Sequence, residues 1–324
     1  MIALPRLGMG CAGIGNLYRA VADAVAEDTV AAALEGGIGY FDVAPHYGFG
    51  MAEDRLGRAL ALHNPDQRAI VATKVGRLLD PTDSRAAERH GFVDAPGFEP
   101  RFDYSHDGVL RSVEESRRRL RRERIDVLLA HDLGALTHGA DHQRQLTTFL
   151  DGGYRALSDL KADGAVGAIG IGVNELAVCH ELLDRVPLDV ILLAGRYTLL
   201  EPDRALPLLD RCADTGTRVI IGGPYNSGIL VEGSRSRTAH FDYGTAPLPV
   251  VAATGRLETV AREFGIALPA AALQFPLRHP QVASVIPGLV GRAQVEATLD
   301  YEAAAIPADF WRAAALALSA EPAL

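Results

Sequence analysis

The chain has few cysteines and no surplus of positive charge. Its 324 residues include three cysteines, Cys11, Cys179 and Cys212, which are widely spaced and odd in number. That pattern does not predict a disulfide framework or a metal cluster, and it is typical of a reducing compartment. The net charge of −9 argues against nucleic acid as the main partner.

No hydrophobic run is long enough to span a bilayer, and no basic segment near the start leads into an apolar signal region. We therefore expect a cytoplasmic protein with no membrane partner. Hydrophobic residues make up 48% of the chain, which is enough for a large core. We predict one domain over residues 1–324, because α/β barrels of this size are commonly single domains.

Short apolar runs alternate with amphipathic segments along the whole chain. Runs bounded by glycine or polar residues are typical of buried parallel strands. We predict strands at Leu7–Cys11, Tyr40–Val43, Ala69–Thr73, Asp126–Ala130, Ala168–Gly172, Val190–Leu193, Arg218–Ile221 and Ala283–Ile286. The predicted helices are Asp28–Glu35, Ala52–Leu60, Gly108–Arg122, Tyr154–Asp163, Leu176–Asp184, Arg204–Asp214, Gly255–Phe264, Arg292–Leu299 and a final Ala308–Leu318. Eight such repeats predict an α/β fold, a (β/α)8 TIM barrel with a C-terminal helix.

An open, doubly wound sheet is the alternative, because it also alternates strands and helices. It is less favoured because no Gly-x-Gly-x-x-Gly follows a predicted strand; Met9–Gly15 is rich in glycine but has a different spacing. Two connections, Arg77–His106 and Pro224–Pro249, are unusually long. In a barrel both leave the carboxyl-terminal face, so we expect them to wall a pocket.

Four polar residues stand at or just beyond the ends of predicted strands. Asp42, Lys74 and His131 each end an apolar run, and Tyr47 follows Asp42 in the next loop. A phenol with a pKa of about 10 is a poor base near neutral pH. A nearby ammonium favours the phenolate, and a carboxylate keeps that ammonium charged. Taken singly these residues could be structural, but together at one barrel rim they predict a proton-transfer site.

The sequence presents no metal-ligand spacing and no nucleophile beside a base. Proton chemistry without either indicates hydride transfer, which requires a nicotinamide cofactor.

Other polar features have simpler interpretations. His46 is expected to brace the loop, and the arginine-rich run 117–124 is expected to form helix-face ion pairs with interleaved glutamates. Trp311 could reach the pocket rim or pack against the barrel.

The segments Phe41–Gly48, with the sequence Phe-Asp-Val-Ala-Pro-His-Tyr-Gly, and Glu53–Leu60 resemble signatures of the aldo-keto reductase superfamily. The resemblance runs nearly end to end. It implies that Tyr47 is the general acid–base, that Lys74 tunes its pKa, and that Asp42 holds Lys74. It also implies that His131 orients the substrate oxygen.

The same resemblance implies a cofactor site. It assigns Asn174 to the nicotinamide carboxamide and the loop of Pro287, Gly288 and Arg292 to the adenosine phosphate. Relatives often carry a stacking tyrosine where this chain has Gly222. NADP-preferring relatives carry a lysine, a hydroxyl residue and an arginine at the positions of Gly288, Leu289 and Gln294. We therefore predict NAD as the cofactor, with NADP disfavoured, although Arg292 lies close enough in sequence to bind a 2′-phosphate.

Within the superfamily the chain is similar to the NAD-linked sugar dehydrogenases and to pyridoxal-oxidising members. The segments that carry this similarity are 102–108, 193–200, 224–230 and 273–280. The predicted reaction is oxidation of the anomeric hydroxyl of a free aldose, such as L-fucose, D-arabinose or L-galactose, to the lactone. Oxidation of pyridoxal is the alternative. Further alternatives are a general aldehyde or ketone reductase and a non-catalytic nicotinamide-binding regulatory subunit.

Overall fold

Eight parallel strands form one sheet, in chain order around it. The computed structural model describes residues 2–84, 86–236 and 238–319. The strands are β1 (Met9–Gly10), β2 (Tyr40–Asp42), β3 (Ile70–Val75), β4 (Ile125–His131), β5 (Val166–Val173), β6 (Val190–Ala194), β7 (Arg218–Gly222) and β8 (Val282–Ile286).

Strands β8 and β1 meet and close the sheet into a barrel. Gly8 N donates to the Val285 carbonyl at 3.0 Å, and Gly10 N donates to the Pro287 carbonyl at 2.9 Å. The predicted TIM barrel is therefore confirmed. The first strand is shorter than the predicted Leu7–Cys11, since Leu7 contributes only a bridge to Val285 across the closure.

Helices alternate with the strands and cover the outside of the barrel. The longer helices are α1 (Asp23–Glu35), α2 (Met51–His63), α3 (His106–Leu120), α4 (Tyr154–Ala162), α5 (Ala177–Leu183), α6 (Leu206–Thr215), α7 (Leu248–Glu263), α8 (Leu268–Gln274), α9 (Arg292–Ala303) and α10 (Ala308–Ser319). Helix α7 begins seven residues before the predicted start, because Pro249 occupies the first turn, where a missing N–H costs nothing. None of the helices in the described residues is long and apolar enough to cross a membrane.

Side chains alternate between the barrel interior and the outer layer, as the period of two in a strand requires. Tyr40, Ala72, Val127 and Leu129 belong to one interior cluster. Phe41, Val71, Leu128 and Ala130, their neighbours in sequence, pack outside among the helices. Positions 42, 74 and 131 continue the interior series, so Asp42, Lys74 and His131 point into the barrel at its carboxyl-terminal end.

Three long connections leave this carboxyl-terminal end. The one after β3 contains two antiparallel hairpins, Arg77–Pro81 with Phe98–Phe102 and Glu88–Arg89 with Phe92–Val93. The one after β7 contains the short helix Ile229–Glu232 and a hairpin of His240–Phe241 with Gly244–Thr245. The third, after β4, was not predicted; it carries two further helices, Ala135–His138 and His142–Thr148.

The arginine-rich run forms ion pairs, as predicted. Arg118 contacts Glu114 at 3.1 Å, one turn away on α3. Arg119 reaches the fully buried Glu53 of α2 at 2.6 Å. Trp311 packs against Phe275, Phe310 and the guanidinium of Arg278. Arg278 lies in the turn before β8, which is at the opposite end of the barrel from the carboxyl-terminal rim. Trp311 therefore packs against the barrel, and the interpretation that it reaches the pocket rim is wrong.

Candidate active site

Three of the four predicted residues lie on adjacent strands at one rim. Asp42 pairs with Ala72 of β3, and Lys74 pairs with Leu129 of β4. Their side chains continue the apolar interior, so they are almost removed from water. Asp42 is 2% exposed, Lys74 1% and His131 5%. Charges at such depth need partners, because burial disfavours the charged form.

Lys74 is the centre of the cluster. Its Nζ donates to Asp42 Oδ1 at 2.6 Å and to the Val43 carbonyl at 2.9 Å, and it lies 4.7 Å from the centroid of the Tyr47 ring. The lysine stem runs past Gly172 of β5, where an added Cβ would lie 3.2 Å from Cε. The absence of a side chain at Gly172 therefore leaves the path that Lys74 needs.

The environment keeps Lys74 charged. Burial alone would lower the pKa of Lys74, but the nearby Asp42 carboxylate and the Tyr47 oxygen outweigh it and raise the pKa above its ordinary value. The second oxygen of Asp42, Oδ2, is buried and has no hydrogen-bond partner among the described residues. The hydrogen bond from Lys74 to Oδ1 is therefore the contact that holds the Asp42 carboxylate.

Tyr47 is held by a turn that packs on the neighbouring loop. Gly48 follows it with a φ of 61°, and a Cβ there would come within 2.3 Å of the Gly15 carbonyl oxygen. Only glycine fits both the left-handed conformation and this close approach. The Tyr47 ring stands 5.9 Å from the His131 ring and 6.3 Å from the Phe92 ring, measured between centroids.

Two opposing effects act on the Tyr47 hydroxyl. Burial raises the pKa of Tyr47 above 10, and the Lys74 charge is the largest effect that lowers it. Asp42 adds to the increase. Lys74 therefore acts in the predicted direction, but it does not make Tyr47 more acidic than a free tyrosine in this state. Burial outweighs it, and Tyr47 is a phenol at neutral pH.

His131 is fixed at the end of β4 by its backbone and stays neutral. The Tyr104 hydroxyl donates to its carbonyl at 2.5 Å. Burial, reinforced by the charges of Arg77 and Lys74, holds the pKa of His131 well below 6.5. Its Nε2 lies 3.5 Å from Asp132 Oδ2, and its Nδ1 is buried without a partner in the described part of the chain.

Arg77 and Asp132 form an ion pair beside His131 that the sequence interpretation missed. Both are only partly exposed, at 11% and 20% of their side chains. Asp132 directly follows His131, and Arg77 opens the long connection after β3, so position along the chain was the available signal. Their pairing spans 55 residues and could not be read from local sequence.

His46 lies among aromatic rings instead of carrying a hydrogen bond to the cluster. Its ring contacts Phe49, His90, Phe92 and His131 at centroid distances of 5.4–6.0 Å. Burial, with help from the Arg77 charge, lowers the pKa of His46 to about 2. This neutral packing position agrees with the expected bracing of the loop.

Asn174 and Gly222 lie on the same rim, at the ends of β5 and β7. Asn174 follows β5, and its carbonyl accepts from Arg196 Nε at 2.5 Å. Its side-chain amide has no hydrogen-bond partner among the residues described. Gly222 ends β7, between Ala194 of β6 and Ile286 of β8. The rim is open here, since a Cβ added to Gly195 or Gly288 would meet no atom within 4 Å.

Backbone contacts with Gly10 hold the loop after β8 in place. The Pro287 carbonyl accepts from Gly10, and Gly288 bridges to the same residue. Leu289 is 2% exposed and therefore cannot face a cofactor. The Gln294 side chain caps the loop, because its Oε1 accepts from Val290 N at 2.9 Å.

Arg292 is engaged by two carboxylates of α1. Its Nη2 lies 2.8 Å from Asp28 Oδ1, and its Nη1 lies 2.7 Å from Glu35 Oε2. The hydrogen bonds to Glu35 and Asp28 raise the pKa of Arg292. The cation that could have bound a 2′-phosphate is thus already paired.

The model of the aldo/keto reductase family matches residues 6–315. The chain belongs to the aldo/keto reductase family. Pyridoxal 4-dehydrogenase of Microbacterium luteolum is 38% identical over 322 residues, covering 96% of this chain and 93% of that protein. D-threo-aldose 1-dehydrogenase of a Pseudomonas species is 36% identical over 314 residues, with the same coverage of 96% and 93%.

A solved structure of this family shares the barrel. The glycerol dehydrogenase of Gluconobacter oxydans superposes with a TM-score of 0.76 at 25% identity, covering 98% of this chain and 92% of that one. Aldo/keto reductases are oxidoreductases that act on aldehyde and alcohol groups with nicotinamide cofactors.

Proposed function

We propose that this aldo/keto reductase oxidises the anomeric hydroxyl of a free aldose to the lactone, with NAD as the hydride acceptor. The observation that carries the proposal is the position of Lys74. It joins the buried Asp42 carboxylate at 2.6 Å and faces the Tyr47 ring at 4.7 Å. A relative at 36% identity bears the name of an aldose 1-dehydrogenase, which supports the substrate class.

Tyr47 is the proposed base. Oxidation of a cyclic hemiacetal breaks the O–H and C–H bonds at one carbon and forms the carbonyl of the lactone. The proton goes to the Tyr47 oxygen, and the hydride leaves the same carbon for the cofactor. Lys74 stabilises the tyrosinate that must form first, and Asp42 keeps Lys74 charged in a buried site.

His131 is proposed to orient the substrate oxygen. Since its pKa lies well below 6.5, the imidazole is neutral and can donate one N–H. A neutral donor is suited to an oxygen that exchanges a proton with Tyr47, because it does not stabilise one protonation state as strongly as a cation does. The two rings are in edge-to-face contact, with centroids 5.9 Å apart, so a substrate oxygen placed at the Tyr47 hydroxyl also lies beside the imidazole.

The residues proposed to hold the cofactor are Asn174, Gly222, Pro287, Gly288 and Gln294. The free amide of Asn174 offers a donor and an acceptor for the carboxamide. A Cβ added to Gly288 would meet no atom within 4 Å, so the rim is open at that residue. When bound, NAD supplies the electrophilic carbon that receives the hydride.

The preference for NAD is proposed from the surroundings of Arg292. Asp28 and Glu35 already neutralise this arginine, and Leu289 is buried where NADP-preferring relatives carry a hydroxyl residue. A 2′-phosphate would meet two carboxylates and no free cation from these residues. A ribose 2′-hydroxyl, in contrast, can donate to a carboxylate.

Oxidation of pyridoxal is the second candidate, because a relative at 38% identity carries the name pyridoxal 4-dehydrogenase. Pyridoxal also presents a cyclic hemiacetal carbon, so the same four side chains would serve. The two substrates differ in their surroundings, since a sugar needs many hydrogen bonds and a pyridine needs a flat apolar slot.

The test is the appearance of NADH absorbance when the protein and NAD are mixed with L-fucose, D-arabinose, L-galactose or pyridoxal. Turnover of a sugar with kcat/KM above that for pyridoxal supports the proposal, and the reverse order selects the second candidate. Activity only in the direction of aldehyde reduction would make the protein a general reductase. Absence of turnover in both directions would indicate a regulatory subunit.

A further inference from the structure

The hairpin after β7 ends in a tyrosine that occupies an unfavourable turn position. Phe241 and Gly244 pair around a two-residue turn whose central residues, Asp242 and Tyr243, have φ angles of 50° and 63°. A turn with both φ angles positive normally carries glycine at its second position. A bulky side chain in this region is strained, and such strain is concentrated at functional sites.

The hairpin is fastened to two neighbouring loops and to the start of its own connection. Asp242 Oδ1 accepts from Arg196 Nη2 at 2.7 Å, and Tyr243 N donates to Ser227 Oγ at 3.0 Å. His240 stacks on the ring of Tyr18 at a centroid distance of 6.0 Å. These contacts tie it to the loops after β6 and β1 and to residue 227 of its own connection.

Arg196 links this hairpin to the candidate cofactor site. The residue is only 4% exposed, and its Nε donates to the carbonyl of Asn174. One guanidinium therefore holds both Asn174 and Asp242. A cation at this depth is retained because both of its sides are hydrogen-bonded.

Tyr243 lies at the exposed tip of this hairpin. Its side chain is 58% exposed, yet the surrounding protein raises the pKa of its hydroxyl. The charges and hydroxyls that act on it include Tyr47, Asp132 and Arg196.

The contacts of the hairpin give its place on the rim. On one side Arg196 joins it to Asn174. On the other side it stacks on Tyr18, whose N donates to the Gly91 carbonyl at 2.8 Å, next to the Phe92 that lies 6.3 Å from the Tyr47 ring. The hairpin therefore spans the rim between Asn174 and the loop that packs on Tyr47, with Tyr243 at its tip.

We propose that Tyr243 is a specificity-determining residue whose ring packs against the ring of a cyclic substrate held at Tyr47. The proposal rests on the proposed function, since it takes the site at Tyr47 to be the place of reaction. The flat apolar face of a pyranose or of a pyridine fits an aromatic ring, and an acyclic aldehyde cannot cover it. Arg196 and Asp242 are positioning residues that hold the hairpin in place.

The test compares ring-shaped with acyclic substrates in three variants. Tyr243→Gly removes the aromatic ring and introduces the residue that the turn favours, whereas Tyr243→Phe keeps the ring and removes the hydroxyl. Asp242→Asn removes the charge that pairs with Arg196 and keeps a residue type that tolerates a positive φ. Substrates are L-fucose and pyridoxal in oxidation, and benzaldehyde and methylglyoxal in reduction with NADH. Leu248→Ala, 84% exposed just beyond the hairpin, is the matched control.

Tyr243→Gly should raise KM for ring substrates about tenfold, the size of one aromatic contact, with little change for methylglyoxal or in the affinity for NAD. Its Tm should stay level or rise, because the strain is relieved. Tyr243→Phe should recover most of the loss, and Asp242→Asn should show a smaller increase in the same KM. Leu248→Ala should match the wild type.

The proposal would be overturned if Tyr243→Gly raised KM equally for ring and acyclic substrates, or if it left KM unchanged for both. A fall in Tm of Tyr243→Gly together with uniform loss of activity would assign Tyr243 a structural role. Failure of the proposed function has a different signature, in which the wild type oxidises neither L-fucose nor pyridoxal. The comparison of benzaldehyde with methylglyoxal then still decides the role of Tyr243.

Discussion

Arg292 and Glu35 are joined by a hydrogen-bonded ion pair, with Nη1 and Oε2 2.7 Å apart. Asp28 holds the other side of the same guanidinium. The pairs are partly exposed, so they contribute little to folding stability. Their consequence is electrostatic, because α1 places two negative charges beside the arginine that follows the β8 loop.

We expect kcat/KM to favour NAD over NADP. An unpaired 2′-phosphate forgoes charge-assisted hydrogen bonds worth roughly 1.5–3 kcal/mol each, and ~1.4 kcal/mol already gives a tenfold ratio. Steady-state kinetics with both cofactors on one substrate measure this ratio. The double variant Asp28→Asn, Glu35→Gln should free Arg292 and raise kcat/KM for NADP selectively.

Glu27→Gln is the matched control for this double variant. Glu27 lies on the same helix and pairs with His63 instead of Arg292. It should leave the cofactor ratio unchanged. Equal efficiency of the wild type with NADP would refute the interpretation and identify Arg292 as the phosphate anchor.

Tyr47→Phe should abolish the proton transfer and leave cofactor binding intact. The phenol oxygen is the proposed base, so kcat is expected to fall by roughly 10²–10⁴-fold. The ring remains against Phe92 and His131, which preserves the loop. Stopped-flow or steady-state assays give kcat, and fluorescence titration gives the Kd for NAD. A variant with near-normal kcat would rule out Tyr47 as the base.

Lys74→Met should move the pH dependence of oxidation to higher pH or eliminate activity. Lys74 is the largest influence that lowers the pKa of Tyr47, and its loss leaves burial unopposed. The single substitution Lys74→Met also leaves the buried Asp42 carboxylate without its ion-pair partner. The double variant Asp42→Asn, Lys74→Met removes both charges and serves as the control for this effect. A pH–rate profile identical to that of the wild type would contradict the coupling.

The strand ends were predictable because each candidate residue terminates an apolar run. Asp42, Lys74 and His131 occupy the inward positions of successive strands, and parallel pairing brings such positions to one rim. The helix bounds were less accurate where proline begins a helix, as at Pro249.

Contacts between distant loops were beyond the reach of the sequence. The Arg196–Asp242 pair spans 46 residues and the Arg77–Asp132 pair spans 55. No periodicity marks either pair, because both depend on how irregular loops pack over the rim. The balance of effects on Tyr47 was also unpredictable, since it depends on the depth of burial and not only on which charges are near.

The rates of the two reaction directions should depend differently on pH. Burial raises the pKa of Tyr47, so at neutral pH the residue is protonated and ready to act as an acid. Reduction of an aldehyde needs that proton and should be level from about pH 6 to pH 9, whereas oxidation needs the tyrosinate and should rise through this range.

His131 and His46 should add no inflection near pH 6.5, because burial lowers the pKa of His131 well below that value and that of His46 to about 2. Profiles of kcat/KM in both directions, with the same cofactor pair, measure these slopes. An oxidation rate that levels off near neutral pH would mean that the base is a group with a lower pKa than Tyr47. A reduction rate that falls below pH 7 would contradict a neutral His131.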